Sequence, residues 1–118
     1  MNHQGKPTQM TLLQTQEEFE ILIGRQPSPN NIPIPPFIVI YFTANWCGAC
    51  KKLDFDYIID KVPGATWMKC DVDMNQYTLG FCGLRSIPSF VAIKDKKIVG
   101  MLSDNRTGKV VEWLKGFA

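Results

Sequence analysis

The chain has one histidine, His3, and four cysteines of which only Cys47 and Cys50 are closely spaced. Cys70 and Cys82 form no second pair of metal-ligand spacing, so Cys47 and Cys50 as half of a zinc site would lack the other half. No metal and no cofactor is expected. There is no apolar stretch long enough to span a bilayer and no internal repeat. The first nine residues are polar and lack the apolar core of a secretory signal, which makes a cytoplasmic location the default and argues against a membrane role. A net charge of +2 without a basic patch gives no reason to expect a nucleic-acid partner.

What remains is the composition of one small globular unit. A chain of 118 residues with 45% hydrophobic content can bury a single core without disulfide staples. We expect a polar tail, 1–9, and one domain, 10–118. Met10 to Leu13 reads as a short strand. Thr15-Gln16-Glu17-Glu18 is a capping-box pattern that opens a helix to about Ile23. From Arg25 to Pro36 the chain holds Pro27, Pro29, Pro33, Pro35 and Pro36, so this stretch is an extended connection. Pro33 and Pro36 have the spacing of a minimal polyproline ligand, but a stiff loop is the simpler reading.

Phe37 to Phe42 is β-branched and aromatic and suits a strand buried on both faces. Lys51 to about Asp60 has helical spacing of Leu53, Tyr57 and Ile58, and Pro63-Gly64 ends it. Thr66 to Cys70 reads as a strand, Met74 to Phe81 as a helix and Phe90 to Ile93 as a strand. A turn at Asp95-Lys96 leads to a last strand, Lys97 to Met101, and Arg106 to Phe117 reads as an amphipathic helix. The expected class is α/β, a mixed sheet flanked by helices.

Trp46-Cys47-Gly48-Ala49-Cys50 joins the apolar strand to the following helix. A thiol at a helix N-terminus is favoured as thiolate by unpaired backbone N–H groups and the helix dipole. An ordinary thiol is only about 3% ionised at pH 7, and a depression of about 1.5 pKa units makes it about half ionised. Cys50, nearly one turn later, can resolve a mixed disulfide formed on Cys47. Gly48 permits close backbone approach, and Trp46 can cover the pair with an amphipathic ring. Lys51 and Lys52 read as solvated lysines of the first turn.

Together with Lys69-Cys70-Asp71-Val72-Asp73 and Gly83-Leu84-Arg85-Ser86-Ile87-Pro88-Ser89-Phe90, this segment resembles the thioredoxin family over roughly Thr11 to Phe117. The resemblance implies the thioredoxin fold and a protein-disulfide reductase with Cys47 as nucleophile and Cys50 as resolving thiol. It also implies a cis Pro88, a bond type that only X-Pro adopts at small cost. Ile87 would then pair with an extended segment of the partner protein. The implied partners are disulfide-containing proteins and a thioredoxin reductase or other dithiol donor, with the chain itself a monomer.

Three positions depart from the family pattern. Ala49 stands where proline is commonest between the cysteines, which frees an N–H near the thiols and is expected to make the disulfide more oxidising. Tyr41 occupies the position of a buried aspartate that takes the resolving thiol's proton, and Lys69 sits where that aspartate's partner usually lies. Phe55 replaces a kinking proline, from which a straighter helix is expected. Asp54 follows Cys50 by four residues, and helical geometry places such pairs on one face, so Asp54, helped by the Tyr41 hydroxyl or water, becomes a substitute acceptor of the Cys50 proton. A solvated helix acid is the plainer alternative. Cys70 reads as a small buried hydrophobe, and Cys82 as an inert thiol or, near the Pro88 loop, a regulatory or dimer-forming one. The competing functions are a redox partner dedicated to one peroxidase or reductase, and a binding module whose cysteines stay idle.

Overall fold

The computed structural model describes residues 10–117. The polar segment 1–9, with His3, lies outside the described residues. Along the chain run β1 (Thr11–Leu12), α1 (Gln16–Leu22), β2 (Phe37–Thr43), α2 (Phe55–Lys61), β3 (Thr66–Asp71), α3 (Gln76–Phe81), β4 (Ser89–Lys94), β5 (Lys97–Ser103) and α4 (Thr107–Lys115). The strands form one sheet in the order β1-β3-β2-β4-β5. The pairs β1/β3 and β3/β2 are parallel, and β2/β4 and β4/β5 antiparallel. Among the described residues no helix is long and apolar enough to cross a membrane.

The period of two in β2 builds both halves of the core. Ile38, Ile40 and Phe42 point to one side and pack with Phe19 and Leu22 of α1. Val39 and Tyr41 point to the other and pack with Phe55 and Ile58 of α2 and with Val110, Val111 and Leu114 of α4. Phe90 of β4 is fully buried on this second side. Full burial of an aliphatic or phenyl side chain contributes about 1.5–3 kcal/mol. The central strand therefore anchors two helical layers, and its C-terminal end carries the cysteine turn.

Local chemistry sets several boundaries. Thr15 Oγ1 accepts the Glu18 N–H at 3.1 Å, while Glu18 Oε1 accepts the Gln14 N–H at 2.7 Å. The box thus closes on the residue before the cap. The proline-rich connection contains one 3-10 turn, Pro29–Asn31. Asp95 and Lys96 both have positive φ, 49° and 69°, as a two-residue hairpin turn requires.

The helix expected over 51–60 is not continuous. A 3-10 turn, Ala49–Lys52, ends at Leu53, whose φ of −80° and ψ of 135° are extended, and α2 begins only at Phe55. Asp54 causes the restart. Its Oδ1 accepts the Tyr57 N–H at 3.1 Å, and its own N–H donates to Thr107 Oγ1 at 3.0 Å. Leu53 is thereby turned into the core. The straighter helix expected from Phe55 is corrected accordingly: the proline is missing, but a side-chain cap interrupts the helix instead.

Candidate active site

After β2 the chain turns back on itself, with the Cys47 N–H donating to the Ala44 carbonyl at 3.1 Å. Cys47 and Cys50 are joined by a disulfide, their Cα atoms 5.3 Å apart. Both are buried. The Cys50 N–H donates to Cys47 Sγ at 3.1 Å. Once the pair is reduced, this donor favours a thiolate on Cys47, because a hydrogen bond to an ionised acceptor is about twice as strong as a neutral one. The expected stabilisation by a long helix at Cys47 is replaced by this local bond, since only the short 3-10 turn follows directly. The N–H seen on the sulfur belongs to Cys50, not to Ala49.

Trp46 is 68% exposed, yet its ring is held: Nε1 donates to Asp73 Oδ2 at 2.9 Å. Asp73 in turn donates its backbone N–H to Asp71 Oδ1 at 2.9 Å. Gly48 has ordinary helical angles and open space where a Cβ would lie, so neither its conformation nor a close approach of other segments requires glycine. The Ile87–Pro88 peptide bond is cis. Both residues line a cleft of about 190 Å³ with Ala49, Ser103 and Asp104. Arg106 binds the Asp104 carboxylate and holds its pKa down to about 2, so this edge of the cleft carries an ion pair. Beside Trp46 a larger, mainly apolar groove of about 530 Å³ runs past Leu79, Leu84 and Ile87. The disulfide turn thus lies between two surface grooves.

Beneath the turn is a cavity of about 180 Å³ lined by Tyr41, Thr43, Cys47, Cys50, Lys51, Lys69 and Asp71, among others. Tyr41 and Lys69 are therefore brought together with the cysteines, in register across β2 and β3. Burial pushes the Tyr41 phenol above its ordinary pKa, and its hydroxyl donates to Thr43 Oγ1 at 3.1 Å. Its ring lies 4.5 Å from Phe55 and 5.5 Å from Phe90, centroid to centroid. The tyrosine and the phenylalanine that depart from the family pattern are thus packing partners, forming an aromatic floor in place of a buried acid.

Asp54 is absent from that cavity. The same-face argument for it needed an unbroken helix, and the structure instead makes Asp54 the exposed N-cap of α2. Asp54→Ala is expected to cost about 1 kcal/mol of stability. A lowered urea midpoint with an unchanged pH profile of disulfide reduction is the pattern that checks this capping role.

Cys70 and Cys82 are both buried and form no disulfide, and the Cys70 thiol donates to the Asn75 carbonyl at 3.7 Å. Burial pushes Cys70 up to about 12, with Asp71 and Cys82 adding to it, and pushes Cys82 up to about 11. Neither is a thiolate at neutral pH. Sequence reasoning missed Asp73, the anchor of Trp46, and Asp71, which shares the cavity. The alternation Lys69/Asp71 against Cys70/Val72 was the available signal, because it places both charged residues on the face of Tyr41.

Comparison with known proteins agrees with this geometry. The family model described as Thioredoxin matches residues 11–116. "Thioredoxin-3, mitochondrial" of Saccharomyces cerevisiae is 31% identical over 101 residues, which cover 84% of this chain and 72% of that protein. "Thioredoxin" of Ophiophagus hannah is 30% identical over 82 residues, covering 68% of this chain and 78% of that one. The crystal structure of oxidised mitochondrial thioredoxin 3 from Saccharomyces cerevisiae superposes with a TM-score of 0.76 at 28% identity, covering 92% of this chain and 96% of that one.

Proposed function

The chain belongs to the thioredoxin family, and from that premise we propose that it reduces protein disulfides by cycling Cys47 and Cys50 between dithiol and disulfide. The observation that carries this reading is the Cys47–Cys50 disulfide with the Cys50 N–H directed at Cys47 Sγ. Thiolate Cys47 attacks one sulfur of the partner's disulfide, and the other partner sulfur leaves and takes a proton. Cys50 then attacks Cys47 Sγ, releases the partner as a dithiol and restores the disulfide. Two electrons pass from the chain to the partner, and the cysteine sulfurs carry them without a cofactor.

The substrate is an extended protein segment. Its backbone pairs with Ile87 beside Pro88, a mode of recognition that depends on main-chain bonds and tolerates many sequences. Trp46 supplies a fixed apolar contact, and the bare surface at Gly48 leaves room for the partner chain. A thioredoxin reductase or another dithiol donor returns the electrons. The working form is a monomer in a reducing compartment, the cytoplasm, where Cys70 and Cys82 stay as free thiols. The yeast relative is by name mitochondrial, so relatives are not confined to one compartment.

Reduction of insulin by dithiothreitol tests the activity. The chain is expected to accelerate precipitation of the insulin B chain at catalytic concentrations. Precipitation no faster than with dithiothreitol alone would leave a binding module with idle cysteines.

A further inference from the structure

We propose that Asp71 accepts the proton of Cys50 during resolution of the mixed disulfide, in place of the acid that Tyr41 displaces. This rests on the dithiol cycle proposed above. Asp71 ends β3 and pairs in register with Thr43, the last residue of β2, and its half-buried side chain lines the cavity that also holds Cys47 and Cys50.

The titratable side chains facing that cavity come from three segments. They are Tyr41 on β2, Cys47, Cys50 and Lys51 on the active-site turn, and Lys69 and Asp71 on β3. The Tyr41 phenol keeps its proton, because burial raises it. Ammonium groups have no free acceptor, and the hydroxyl of Thr43 and the amide of Asn45 are not bases at neutral pH. The carboxylate of Asp71 is the remaining acceptor among these groups. One of its oxygens takes the Asp73 N–H, and a carboxylate has further lone pairs to offer. At about 30 Å³ of liquid per water molecule, the cavity has room for water to carry the proton from sulfur to carboxylate.

In the step itself, the Cys50 S–H bond breaks as its sulfur attacks Cys47 Sγ. The proton passes to Asp71, the bond between Cys47 and the partner sulfur breaks, and that sulfur leaves with its electron pair. Asp71 then returns the proton to solvent or to the departing thiolate. A carboxylate is a much weaker base than a thiolate, so the contribution falls below the usual range for general base catalysis, at about tenfold. The same bond ties Asp71 to Asp73, whose carboxylate holds Trp46.

Stopped-flow reaction of the reduced chain with the aromatic disulfide dithiobis(nitrobenzoate) separates the two steps, because Cys47 and then Cys50 each release one coloured thiolate. Asp71→Asn keeps an oxygen that can accept the Asp73 N–H. At about pH 7 it is expected to slow the second release about tenfold and leave the first within about twofold. At about pH 9.5, where an ordinary thiol ionises unaided, variant and parent are expected to converge. An unchanged second phase at neutral pH would overturn the assignment, as would a deficit that persists at high pH or slows both phases equally. If the parent releases no thiolate at all, the dithiol cycle falls and the role of Asp71 with it.

Discussion

Cys47→Ser is expected to lower insulin reduction to the dithiothreitol background, a drop of at least about a hundredfold, or roughly 3 kcal/mol of transition-state stabilisation. A serine hydroxyl stays protonated at neutral pH and cannot form the mixed disulfide, so the first bond of the cycle is never made. The Cys50 N–H is left with an oxygen that carries no charge to stabilise. Cys50→Ser is expected to behave differently. Its Cys47 still attacks, but the partner stays attached until external dithiothreitol releases it, so slow residual turnover remains. Initial rates at equal protein concentration distinguish the two variants.

Phe90→Ala is expected to cost about 3–5 kcal/mol of folding stability. Phe90 is fully buried, and its ring lies 5.5 Å from Tyr41, 6.4 Å from Phe55, 6.3 Å from Trp67 and 6.5 Å from Trp113, centroid to centroid. Truncation opens a cavity among large rigid rings that have few rotamers with which to collapse into it. Two of these rings, Tyr41 and Phe55, form the floor under the cysteines, and β4 carries the chain away from Pro88. A lowered urea midpoint at unchanged slope checks the effect. A loss below about 1 kcal/mol would mean that the aromatic cluster repacks freely.

The elements that the sequence displays best are those decided locally. The β-branched run of β2, the Thr15 cap of α1 and the two-residue turn at Asp95-Lys96 each lie within a few residues of their cause. The split between the cysteine turn and α2 is of another kind. Asp54 caps α2 locally through Tyr57, but its own N–H is taken by Thr107, 53 residues further on, and no helical periodicity reports such a partner. A spacing of four residues therefore suggested a shared face for Cys50 and Asp54 that the backbone does not provide.

The same distinction holds within the site. The two cysteines, the exposed tryptophan beside them and Ile87-Pro88 are contiguous motifs and stood out directly. The residues that contact Trp46 or share the cavity with the cysteines come from the end of β3. Asp73 holds Trp46 across 27 residues, and Asp71 reaches the cavity only through the parallel register of β3 on β2. That register follows from tertiary pairing, although the alternation of charged and apolar residues over 69–72 was visible. Tyr41 and Phe55, each a lone departure in the sequence, gain a common explanation once their rings are seen in contact.

The division of labour between the cysteines is tested most directly by mapping the covalent adduct that Cys50→Ser forms with a disulfide substrate under non-reducing conditions. Peptide mass spectrometry is expected to find the partner linked through Cys47 in the adduct, with Cys70 and Cys82 recovered as free thiols. A partner linked through Cys70 or Cys82, or the absence of any adduct, would contradict the assignment of Cys47 as the nucleophile.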